Sequence, residues 1–194
     1  PFLSLLIDDC IARGKDYHNG GARYNTTYIQ GVGVGTMADA LSGLKYHVYD
    51  QHTYTMDELL AALDGDFTGN ERLRQVLLNR TPKYGNDDDY ADGLMVRVFE
   101  SYFNAVDGRK NTKAGEYHIN LLPTTVHIYF GSVTGATPDG RRANTPLSEG
   151  VSPVQGADRH GPTAALRSVA KMDHARTGGT LLNQKFTPQV LASE

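Results

Sequence analysis

Gly33-Val34-Gly35-Thr36-Met37-Ala38 fits the G-x-G-x-x-A phosphate fingerprint. Glycines let the backbone approach a phosphate, and a following helix offers free N–H groups and the positive end of its dipole. The same chemistry calls for an acidic residue about 20 positions on, to hold a ribose. Asp50 stands only 15 on, and the stretch before the glycines is polar rather than a buried apolar run. A nucleotide-binding oxidoreductase built on Gly33, Gly35 and Ala38 is therefore a rival reading. The preferred one is a tight strand-to-helix turn that needs glycine torsions.

Asp87-Asp88-Asp89 with Asp92 could hold a hard cation through carboxylate oxygens. The run lacks the spaced D-x-D-x-D-G pattern and a distal Glu. Acidic residues at a helix start also complement its dipole, and Asn86 or Asp87 would cap it, so cap and dipole are preferred over metal. The seven histidines form no H-x-H, H-E-x-x-H or i,i+4 pair, which disfavours a histidine metal site. Neither G-x-S-x-G nor G-x-x-x-x-G-K-[ST] occurs, which removes the simplest hydrolase and NTPase readings. Cys10, the single cysteine, lies on the apolar side of a helical pattern and reads as a small buried residue. Thr124 and Thr125 put hydroxyls on opposite faces of an expected strand, so that in a central strand one points inward, either back-bonding the chain or meeting a ligand. On the residues alone the structural role is preferred. Pro138-Asp139-Gly140 is an ordinary turn, followed by Arg141-Arg142.

The elements that would position these residues follow from periodicity. Residues 2–17 read as a short amphipathic helix ending near Gly14, 23–34 as a strand interrupted by glycines, and 37–49 as a helix. Thr55 with Glu58 forms a capping-box pattern opening a helix over 56–63, and another covers about 70–79. An acidic turn at 81–92 leads into a helix over 93–106. Residues 117–130 read as a strand pair or one broken strand, because Pro123 interrupts any ladder. A glycine- and proline-rich loop over 131–162 precedes a short helix at 164–171, a strand at 180–186 and an incomplete helix at 188–193. Strands alternating with helices give the α/β class.

The chain has 194 residues, 39% hydrophobic and 21% charged, with a formal net charge of −3. That suits one globular unit, and the absence of a basic block argues against a nucleic-acid or anionic-membrane surface. One cysteine excludes an internal disulfide framework, and no apolar run or leader pattern marks a span or signal peptide, so a soluble, cytosolic protein is expected. The chain begins Pro1-Phe2-Leu3, without Met, which reads as a piece of a longer polypeptide.

Whole stretches carry a further resemblance. Residues 20–50, 81–92, 136–174 and 177–186, among them TPKYGNDDDYAD and TGGTLLNQKF, resemble the C-terminal half of the glycyl radical enzymes, the pyruvate formate-lyase-like group. The resemblance covers about 3–191. It implies a segment of a ten-stranded α/β barrel, a protein-derived glycyl radical as cofactor with no metal or nucleotide, a radical S-adenosylmethionine activating enzyme as partner, a small-molecule substrate and a homodimer. Within the group, DDCIARGKDY, YGNDDDYAD and LLPTTVHIYFG resemble the branch that dehydrates hydroxyproline, in which a threonine aligned with Thr124 contacts substrate. Thr124 and Thr125 thereby become substrate-binding candidates. Isethionate cleavage, glycerol or diol dehydration and formate acetyl transfer are the alternatives, and the lack of a basic residue beside Pro123 argues against a sulfonate. The family's Cys-x-Glu loop and R-V-x-G-Y motif do not occur in these residues. Residues 1–194 are accordingly expected to be one barrel segment, without that loop, without the glycyl radical domain and without catalytic residues of their own.

Overall fold

The computed structural model describes residues 2–186 and 188, and the helix expected over 188–193 lies, but for Pro188, outside them. A 3-10 turn at Phe2–Leu6 leads into α1 (Asp8–Arg13), which Gly14 ends in the left-handed conformation with φ 60°. The expected strand over 23–34 contracts to β1 (Thr27–Gln30), because Gly33, at φ 75°, already caps α2 (Val34–Leu44). A π-helical turn, Lys45–Asp50, extends α2. Thr55 and Glu58 form the expected capping box on α3 (Met56–Asp64), which precedes α4 (Glu71–Asn79). Helix α5 (Asp89–Val106) starts earlier than the pattern implied, and its cap is Asp88, whose side chain accepts from Tyr90 N–H, rather than Asn86 or Asp87.

Strand β2 (Tyr117–Asn120) pairs in parallel with β1, Thr27 opposite Tyr117 and Gln30 opposite Asn120. Residues 178–181 run along its other side: Gly178 N–H donates to the Ile119 carbonyl, Leu121 N–H to Gly179, and Leu181 N–H to Leu121. The strand expected over 180–186 is thus reduced to a single bridge at Thr180. The larger correction concerns 117–130. Beyond Leu121 the chain leaves the sheet at Pro123, which has no N–H for a ladder, and Val126–Val133 forms a helix, α6. Its apolar run fits either element by composition. Helix α7 (Pro162–Val169) follows the long loop, with proline in its first turn. The α/β class stands.

The main core joins Val34 and Ala38 of α2, Met95 and Phe99 of α5, and Ile119 and Leu121 to Tyr84, Val151, Val169 and Met172. A second cluster packs Leu59 and Ala62 of α3 against Phe67, Leu73 and Leu77. Among the described residues no helix is long and apolar enough to cross a membrane. Gly43 lies so close to the 137–141 turn that an added Cβ would collide with the Pro138 carbonyl oxygen. Gly43→Ala is therefore expected to cost about 1–3 kcal/mol, read as a lower Tm. An unchanged Tm would show that the turn can move aside.

Candidate functional site

The segment from β2 to α6 places the threonine pair. Leu122 N–H donates to Gln30 Oε1 (3.2 Å), fixing the chain as it leaves the sheet, and Pro123 is buried. Thr124 and Thr125 then form an exposed turn. They are not on a strand and neither hydroxyl points into a core, which corrects the expectation of one inward-facing threonine. Thr125 is the N-cap of α6, yet its side chain makes no capping bond, so the first turn of the helix keeps its positive end open. On either side of this turn, Asn120 Oδ1 and His127 Nδ1 are buried without hydrogen-bond partners among the described residues. A bound polar group or a further piece of protein would satisfy such atoms. His127 also lines a cleft of about 560 Å³ with Leu147, Glu149, Ser152 and Asn183, into which neither threonine reaches.

The glycine fingerprint has no such opening. Thr36 N–H donates to Ser148 Oγ (2.9 Å) and Ser148 N–H to Thr36 Oγ1 (2.8 Å), so the loop seals the start of α2. Val34, Thr36 and Ala38 are buried, and a Cβ on Gly35 would lie 2.7 Å from the Ser152 carbonyl oxygen. Thr36 N–H is taken by Ser148 and the packing around Gly35 leaves no room for a phosphate, which counts against the nucleotide reading at Gly33, Gly35 and Ala38. The tight turn it was weighed against is what the structure contains.

The acidic run docks α7. Lys171 Nζ lies 2.7 Å from Asp92 Oδ2, 2.7 Å from Asp89 Oδ1 and 3.2 Å from Asp87 Oδ1. Ser168 Oγ donates to Asp92 (2.9 Å), whose side chain is completely buried. Burial opposes the charge on Lys171, but its three carboxylates outweigh it and hold the ammonium above its ordinary range. Asn86 ties the loop beyond: its Oδ1 accepts from the N–H groups of Arg159 and His160, and its Nδ2 donates to the Ala157 carbonyl. Arg141, 7% exposed, donates to the carbonyls of Thr134, Gly135, Arg142 and Thr145 and so organises the turn after Pro138. Cys10 is buried, as its place on α1 implied.

Asp39 is the most perturbed carboxyl. Burial drives its pKa up to about 7, partly offset by Lys83 and the Tyr84 N–H and reinforced by Asp139 and Asp92. In an unfolded chain it would ionise in the ordinary carboxylate range. Between that range and pH 7 the folded state binds the extra proton, so this group's contribution to stability is lost as pH rises. Asp39→Asn is expected to flatten that decline, raising its Tm relative to the native protein from about pH 5 to about pH 8. Parallel Tm–pH curves would contradict the assignment.

Comparison with known proteins places this arrangement. Residues 1–131 match the family described as Pyruvate formate lyase-like, and residues 147–194 match that described as Glycine radical. The chain belongs to the pyruvate formate lyase-like family. Over 194 residues it is 56% identical to a trans-4-hydroxy-L-proline dehydratase of Clostridioides difficile, covering all of this chain and 25% of that protein. It is 42% identical to the probable dehydratase YbiW of Escherichia coli over 98% of this chain and 25% of that one. The crystal structure of the C. difficile hydroxyproline dehydratase with trans-4-hydroxy-L-proline bound superposes with a TM-score of 0.95, at 56% identity, over 100% of this chain and 25% of that chain. The glycerol-bound B12-independent glycerol dehydratase of Clostridium butyricum gives 0.92, at 44% identity, over the same shares. The chain spans about a quarter of the length of these relatives. The two family matches meet across the loop at 132–146, and the Thr36–Ser148 and Lys171–Asp92 bonds join the residues on either side of it.

Proposed function

We propose that these residues form part of a glycyl radical lyase that dehydrates trans-4-hydroxy-L-proline to 1-pyrroline-5-carboxylate, releasing one water. The observation that carries the reading is 56% identity, spread over the whole chain, with a relative of that name. In that enzyme residues 1–131 would belong to the barrel and residues 147–194, which match the glycine radical family, would lead towards the radical-bearing part. The Cys-x-Glu loop and the radical glycine come from elsewhere, since neither motif occurs here. A glycine-centred radical would supply hydrogen-atom abstraction. This chain's own residues would bind and orient.

The exposed Thr124 hydroxyl and the uncapped first turn of α6 stand side by side. Together they suit a carboxylate-bearing substrate, because a hydroxyl donor and a helix N-terminus both favour an anion. Thr125 would line the same wall. Correct orientation is what the radical step needs from its surroundings. The full enzyme would work as a homodimer switched on by a radical S-adenosylmethionine activating enzyme.

The test is anaerobic incubation of the activated parent enzyme with trans-4-hydroxy-L-proline. The expected product is 1-pyrroline-5-carboxylate, formed only after activation. An activated enzyme that carries its radical and leaves the substrate unchanged overturns the proposal.

A further inference from the structure

A separate cleft of about 330 Å³ opens between α2, α4 and the loop over 139–159, lined by five cationic side chains and two carboxylates. Several of the cations have donors to spare among the described residues. Lys83 Nζ gives one N–H to the Asp139 carbonyl (2.8 Å). Arg159 commits only Nη2, to Leu78 and Asn79, and Arg74 keeps Nη2 after giving Nε to the Gly140 carbonyl and Nη1 to Glu71. Asp39 belongs to the same lining and is 0% exposed. Its Oδ1 accepts from Tyr84 N–H (2.8 Å), while its Oδ2 has no partner.

A buried acceptor without a donor costs free energy, and a carboxylate among arginines repels any anion that brings no proton. An oxyanion carrying its own O–H resolves both. Its hydroxyl donates to Asp39, and its remaining oxygens accept from Lys83, Arg74 and Arg159. We propose that this cleft is a binding site for hydrogen phosphate. It selects that ion against sulfate, which matches it in size and charge but has no proton to give.

The site is independent of the dehydratase reading. It is measured on the unactivated parent enzyme, so a failed turnover assay leaves it standing and a failed titration leaves the turnover reading standing. At about pH 8 Asp39 is ionised and phosphate keeps one O–H. Calorimetric titration should then give phosphate an affinity at least about tenfold higher than sulfate. Methyl phosphate, a dianion at that pH with no O–H left, should bind as weakly as sulfate. Asp39→Asn should bring phosphate and sulfate to within about twofold, and Arg159→Gln should weaken phosphate while keeping the preference. Equal affinities in the native protein, or no phosphate binding at millimolar concentration, overturn the proposal, and neither result depends on a variant folding.

Discussion

Thr124→Ala in the activated parent enzyme is expected to lower kcat/KM for trans-4-hydroxy-L-proline by about ten- to a hundredfold. That range is the cost of one hydrogen bond to a charged group, at about 1.5–3 kcal/mol. Thr124 is exposed and its hydroxyl bonds to nothing within the described residues, so truncation leaves the fold intact and the expected change in stability is within about 0.5 kcal/mol. The glycyl radical signal, read by electron paramagnetic resonance, should form to the native extent, because the change deletes a substrate contact and leaves the turn and helix α6 in place. Thr124→Ser should restore most of the loss. Native turnover in Thr124→Ala removes the residue from the substrate wall; a lost radical signal would give it another role.

Lys171→Met should be the most destabilising single change argued from this structure. Methionine keeps the aliphatic packing and deletes the charge. Asp92, fully buried, then retains only the Ser168 hydroxyl on the oxygen that Lys171 contacted. Leaving one partner of a buried ion pair uncompensated costs about 3–5 kcal/mol. Loss of the Asp89 contact adds little, since that side chain is 96% exposed. The measurement is Tm together with proteolysis across the 159–176 region, which should become faster as α7 loosens. Asp92→Asn in the Lys171→Met background should recover part of the loss, because the carboxylate and not the packing is the burden. A Lys171→Met protein that melts like the native one would mean that water reaches Asp92.

Local chemistry made part of this legible in the sequence. The Thr55–Glu58 capping box and the left-handed glycines at 14 and 33 are patterns within four residues, and the structure reproduces them. The boundary errors share a cause. β1 is shorter than its pattern because glycine torsions admit a helix as readily as a bend, and α6 fits a strand pattern equally well because a short apolar run has no period to decide it. Only the family resemblance marks Thr124, and its exposure at a turn does not follow from a pattern that fits strand and helix alike. Lys171 and Asn86 act on partners more than 70 residues away, and no window along the chain brings them together. Arg141 has near neighbours as partners, but they are main-chain carbonyls, which every residue carries, so no side-chain pattern marks it. Asp39 sits inside a helical pattern as one polar residue among apolar ones, and only the folded structure shows its second oxygen without a donor.

The most direct measurement is a comparison of turnover by the activated parent enzyme on four candidate substrates, trans-4-hydroxy-L-proline, isethionate, glycerol and pyruvate with coenzyme A, under strict exclusion of oxygen. A hydroxyproline kcat/KM exceeding each of the others by about a thousandfold or more is expected, since a site built to bind one substrate's polar groups rejects analogues that leave those groups unpaired. Faster turnover of any of the other three would contradict the account.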